Sequence, residues 1–205
     1  MNFIIYFILG TIISILGSIM PSMLNLTVVK ISIKSGRKEA LYLALGISSV
    51  LLFQSNIGAF LASILMKNSE YIATIQQVAT GIIFLISINF FRLYFKNKDK
   101  PKKEKIQKSK AFMHGFVLSS LNMFAIPFYF TVVSILIGLN FFNYSIPNSI
   151  YFTIGSIAGS FLLYTIYAFT AKAIEKKILF MANKMDLILG VLTGFIAIIN
   201  ALYLI

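Results

Sequence analysis

A chain of 205 residues that is 59% hydrophobic and only 12% charged lies outside the range of soluble domains, which carry about 45–50% apolar and about 25% charged residues. The composition therefore excludes water as the main solvent, and the absence of cysteine excludes disulfides, thiolate metal sites and thiol redox chemistry. The net charge of +12 would suggest nucleic acid in a soluble protein. Here the basic residues stand between apolar segments, so the expected counter-charge is anionic membrane lipid and no nucleic-acid partner is expected.

Uncharged runs fall at Phe3–Val29, Leu41–Met66, Tyr71–Phe91, Ala111–Ile137, Ile146–Ala171 and Leu187–Ile205. Each approaches or exceeds the roughly 20 residues that cross a hydrocarbon core about 30 Å thick. The expected fold is an all-α polytopic membrane protein of six transmembrane helices. The opening stretch, Met1 to Met20, lacks the basic start and small-residue cleavage site of a signal peptide, which predicts a retained first helix.

The first span carries Pro21, flanked by Ser18, Ser22, Asn25 and Thr27, and is followed by Lys30, Lys34, Arg37 and Lys38. The second places Gln54, Ser55 and Asn56 at its middle, three side chains that point in different directions on a helix. Ser55 is explained by interhelical hydrogen bonding; Gln54 is the one to expect in the interior of the bundle. The stretch Lys96 to Lys110 has no core-forming residue beyond Ile106 and reads as a basic linker resting near anionic lipid. The fourth span opens with His114 and Gly115, where an exposed interfacial histidine is expected, and goes on to Ser119, Ser120, Asn122, Pro127 and Thr131. Lysines 172, 176, 177 and 184 predict a loop between the fifth and sixth spans. Asn89 and Asn200 are expected near the interfaces. Gly155–Gly159 and Gly190–Gly194 are small-x-x-x-small patterns that let helices approach closely; they pack one molecule or, for the sixth span, a homo-oligomer.

Of the 18 basic residues, all but Lys67 fall in the alternate loops that share one side. Lysine and arginine are retained in the cytoplasm, which predicts a multi-pass protein of the cell inner membrane with both termini outside. The linker separates two halves, residues 1–95 and 111–205, and the halves resemble each other. A shift of 109 positions lays Tyr42 on Tyr151, Gly46 on Gly155, Ile57 on Ile166 and Ala59-Phe60 on Ala168-Phe169. Thr80-Gly81 matches Thr193-Gly194, and Gly10 precedes Pro21 much as Gly115 precedes Pro127. Three crossings per half invert the second relative to the first, the inverted-repeat architecture of many secondary transporters, whose sites lie near the midplane.

No acidic, basic or histidine side chain lies well inside a span, so the usual intramembrane proton carrier is missing. There is no H-E-x-x-H, G-x-S-x-G or membrane acid pair. Catalytic residues, metal ligands and cofactors are accordingly expected to be none, and the chain is not expected to be an enzyme. Proline within a span frees backbone groups for other partners. Two prolines at matching places predict a shared substrate site of Pro21, Ser22, Asn25, Gln54, Asn122 and Pro127, where helix N-termini attract a carboxylate; the alternative is two kinks satisfied by neighbouring helices.

Gly17-Ser18-Ile19-Met20-Pro21-Ser22, then Lys34-Ser35-Gly36-Arg37 and Ala44-Leu45-Gly46, resembles the opening of the LysE family of amino-acid exporters, with its proline-glycine-proline first span, basic glycine turn and alanine-x-glycine second span. Ala111-Phe112-Met113-His114-Gly115-Phe116 and Leu121-Asn122 are similar to the family's aromatic-x-x-glycine start and asparagine-proline element. Only Pro21 of the first motif is kept, Ser22 and Met23 replacing its glycine and second proline, and Asn122 is followed by Met123. The resemblance implies an exporter of amino acids or similar small polar metabolites. A reading of another class is a non-transporting scaffold or assembly factor that recruits a partner through the basic loop.

Overall fold

A computed structural model of the chain describes residues 2–19, 22–67, 81, 84–85, 87–89, 91–92, 95, 110–122 and 124–203. Pro21, most of the predicted third span and nearly all of the basic linker lie outside the described residues.

The helices follow the apolar runs. α1 (Asn2–Ile19) and α2 (Met23–Lys34) make up the first predicted span. The chain then reverses at Ser35 and Gly36, whose φ of +104° suits a residue without Cβ. α3 (Arg37–Ser49) and α4 (Leu51–Lys67) meet at a hitch at Val50 and form one 31-residue apolar helix. α5 (Ala111–Ser120) and α6 (Ala125–Gly138) replace the fourth span, and α7 runs from Ile146 to Tyr203. No strand occurs among the described residues. The protein is an all-α polytopic membrane protein.

Arg37–Lys67 and Ile146–Lys177 are each long and apolar enough to cross a membrane, and the described residues give up to four spans if each bent pair, α1 with α2 and α5 with α6, is one. The loop predicted around Lys172–Lys184 is corrected: α7 continues through it for 58 residues without a break. From Ser160 to Leu189 the sequence has no glycine or proline, and its Ala, Lys, Glu, Ile, Leu and Met residues all favour or tolerate helix. Charge marks where a helix leaves lipid; it does not by itself end one.

The chain divides into two compact units, Met1–Lys67 with Ile106–Ile178, and Asn68–Lys105 with Leu179–Ile205. In the second unit, Ser87 donates from Oγ to the Gly190 carbonyl at 2.8 Å and stands against Gly194. The Gly190–Gly194 face is thus used within the chain. Asn89 is exposed.

The first unit has two apolar cores of parallel construction. One gathers Ala111 and Leu118 of α5, Leu24 and Val28 of α2, Leu43 of α3 and Ala168 of α7. The other gathers Tyr6 and Ile13 of α1, Tyr129 and Val133 of α6, Phe152 of α7 and Ala59 of α4. Ala111, Leu118, Tyr129 and Val133 each stand 105 positions after their counterparts, and Phe152 and Ala168 stand 109 after theirs. Glycine contacts repeat the correspondence. A Cβ on Gly10 would overlap the Phe152 carbonyl and approach the Ser156 nitrogen; a Cβ on Gly115 would overlap the Leu43 carbonyl and approach the Ile47 nitrogen. Reciprocally, Gly155 lies against Phe7 and Gly46 against Phe112. Backbones touch where these glycines cross, as small residues allow between membrane helices.

Candidate functional site: the two broken helices

Both bent pairs turn sharply, α1 to α2 by 81° and α5 to α6 by 62°. A helix interrupted inside an apolar bundle strands the last carbonyls of its first part and the first amides of its second, and each costs free energy if left unpaired. The two breaks meet this cost with side-chain amides.

At the first break, Asn25 is fully buried. Its Nδ2 donates to the Ser18 carbonyl at 2.8 Å, and its Oδ1 accepts from the Ser22 backbone nitrogen at 3.3 Å and from the Ser22 hydroxyl. One side chain thus closes the end of α1 and the start of α2. From α7, the Tyr167 hydroxyl donates to the Ile19 carbonyl at 3.0 Å, and the buried Tyr164 stands beside Ser18.

At the second break, Gln54 reaches from α4. Its Nε2 donates to the Ser119 carbonyl at 3.0 Å, and the Asn122 backbone nitrogen donates to the same oxygen at 3.0 Å. Gln54 is buried, with 6% of its surface exposed, and its Oε1 has no hydrogen-bond partner. Asn122 uses its own Oδ1 to accept from the Phe124 nitrogen at 3.2 Å. Pro127 is the third residue of α6, inside the first turn, where a missing N–H leaves no intrahelical bond unmade. The breaks touch: a Cβ on Gly17, near the end of α1, would stand 2.6 Å from the Phe128 ring of α6.

Of the expected site residues, Ser22 and Asn25 are thus joined at one break, and Gln54, Asn122 and Pro127 at the other. Ser22, Asn122 and Pro127 are half-buried. Asn25 has its oxygen doubly occupied and serves the break itself. Ser55 makes the interhelical bond expected of it, Oγ to Thr153 Oγ1 at 2.8 Å. Asn56 bonds Ser149 at 2.8 Å, and Ser48 bonds Ser160 at 3.1 Å, giving a polar seam between α3–α4 and α7. His114 is half-buried in the first turn of α5 and not exposed as expected, because Gly115 draws that turn against α3. Ser119, one of the polar residues expected near Pro127, takes part through its backbone oxygen, and sequence reasoning missed the tyrosines of α6 and α7. Tyrosine in an apolar run reads as core or interface, and only the fold brings Tyr164 and Tyr167 to the end of α1. No group of three or more His, Cys, Asp or Glu that could hold a metal occurs among the described residues.

The protein-family model of the LysE type translocator matches residues 15–204, a span that includes both breaks and the helices that pin them. The chain belongs to the LysE type translocator family. No curated protein and no solved structure matches it. Membership makes it a membrane transporter, in a family of transporters and not of enzymes. In this translocator the altered motifs still sit at the two breaks: Ser22 takes the position before α2, and Asn122 lies three residues before the start of α6.

Proposed function

We propose that this translocator exports amino acids or similar small polar metabolites from the cytoplasm, along a path that passes between its two broken helices. The observation that carries the reading is the buried Oε1 of Gln54, an acceptor with no partner beside a broken helix end. A polar atom so placed calls for a donor, and a solute ammonium or hydroxyl supplies one. The first amides of α2 and α6 suit a carboxylate, since helix N-termini carry partial positive charge. A zwitterion is then held without a buried ionised side chain. The paired cores and paired glycine contacts support a repeat within the first unit, and the basic bias supports an inner-membrane protein with its basic end in the cytoplasm.

The experiment is solute efflux from vesicles loaded with an amino-acid mixture, comparing the native chain with Pro21→Ala, Pro127→Ala, Gln54→Leu and Asn122→Leu, with insertion checked separately. Slower efflux in the variants is expected. Unchanged efflux in all four removes the site from the breaks, and no efflux by the native chain moves the reading to a scaffold.

A further inference from the structure

The two ends of the first unit are built on matched helices but are closed differently. Where the chain leaves α2 it turns at once through Ser35 and Gly36. Where it leaves α6 it runs through a loop, Leu139 to Ser145, before α7 begins. That loop folds inward. The Phe141 and Phe142 nitrogens both donate to the Leu136 carbonyl, at 2.8 and 3.1 Å, and Asn140 takes a φ of +61°. This turn throws Phe141 outward, 63% exposed, and drives Phe142 into the core, 2% exposed. The loop is pinned there. The Asn143 nitrogen donates to the Tyr6 hydroxyl at 3.2 Å, and Asn148 Nδ2 donates to the Asn143 carbonyl at 2.8 Å.

Phe142 begins a chain of edge-on rings that leads to the breaks. Its ring lies 5.0 Å from Tyr6 and 5.4 Å from Phe152; Phe152 lies 6.0 Å from Tyr129, and Tyr129 lies 5.3 Å from Phe128. Phe128 is the ring set against Gly17. At the other end the counterparts of Tyr6, Tyr129 and Phe152 are Ala111, Leu24 and Leu43, and the two-residue turn at Ser35 and Gly36 leaves no counterpart of Phe142. Arg37 is exposed and lies over the Phe169 ring, 5.1 Å from its centroid. At the basic end the buried ring is Tyr164 of α7 and, among the described residues, no turn residue enters the core, whereas at the uncharged end a single loop residue completes the ring cluster.

We infer that Phe142 is the gate residue of the uncharged end: seated among Tyr6 and Phe152 it closes the path above the breaks, and the Leu139–Ser145 loop must lift it for solute to leave on that side. The inference rests on the proposed path, but its test needs no solute. The chain has no cysteine, so Ser14→Cys gives a single reporter at a buried α1 residue beside Tyr129. A membrane-impermeant thiol reagent is applied to reconstituted vesicles from each side in turn.

With Phe142 present, the reporter is expected to react very slowly from the uncharged side. Phe142→Ala is expected to raise that rate at least about tenfold, because labelling follows the population of the opened loop, while Phe141→Ala leaves it unchanged. If Phe142→Ala does not insert, Phe142→Leu is read in its place and is expected to raise the rate by a smaller factor. An unchanged rate with Phe142 replaced, or an equal rise with Phe141→Ala, overturns the gate. Either result is independent of whether the native chain moves amino acids.

Discussion

Gln54 and Ser119 lie in different spans and are joined across 3.0 Å, the side-chain amide of one donating to the backbone carbonyl of the other. The carbonyl belongs to the last turn of α5, just before the chain breaks. The bond therefore does two things: it meets a stranded acceptor, and it fixes where the unpartnered Oε1 sits.

Gln54→Leu is expected to lower thermal stability by only about 1 kcal/mol, since polar contacts between membrane helices average less than that and the Asn122 nitrogen still serves the carbonyl. Efflux should fall by roughly tenfold, because a solute donor that loses its buried partner forfeits about 1–3 kcal/mol. Denaturation followed in detergent, set beside efflux, separates the two. A large stability loss with matching loss of transport would make Gln54 a strut and no more.

The crossing glycines give the opposite pattern. In Gly46→Ala and Gly155→Ala the new methyl meets a backbone carbonyl, of Phe112 and of Phe7, and a backbone cannot rotate away. Each variant should lose about 1–3 kcal/mol, the range for overpacking, and the two losses should be similar if the paired contacts are equivalent. Gly138→Ala meets nothing nearer than Met66 Cε at 3.8 Å and should be neutral or slightly stabilising. The check is the melting temperature of the three purified variants.

The breaks were legible because proline in an apolar run has few other meanings, and Gln54 because an amide at mid-span needs a partner. Other features were not. Phe141 and Phe142 are the same residue type in the same loop, and only the backbone turn at Asn140 decides which is buried. The lysines after Ala171 looked like a loop because charge and loop coincide at most membrane boundaries, whereas here the residues between them are helix formers. Asn25 stands out in the sequence as a polar group at depth, but its partners in the structure are the two ends of its own break.

Charge placement yields a topology that can be checked on intact cells. Lys38→Cys and Lys172→Cys, at the basic end, should react with an impermeant reagent only after the membrane is opened, and Phe141→Cys should react without opening. All three positions are exposed, so accessibility within the protein does not limit the labelling. Labelling of Lys38→Cys and Phe141→Cys from the same face would overturn the orientation.

Pro127 separates stability from transport most sharply. At the third position of α6 its missing N–H leaves no helical bond unmade, but its ring would clash with the carbonyl four residues earlier if α5 ran on into α6. Proline thus forbids the straight helix more than it weakens the bent one. Pro127→Ala removes the prohibition, and Ala is the best helix former. The variant is therefore expected to be as stable as the native chain or more so, with higher helicity by circular dichroism, and to export more slowly because the break is no longer enforced. Such opposition of stability and activity is the usual signature of a strained functional site. A variant that melts several degrees lower and transports in proportion to its folded fraction would show that the break is held by its neighbours and not by the proline.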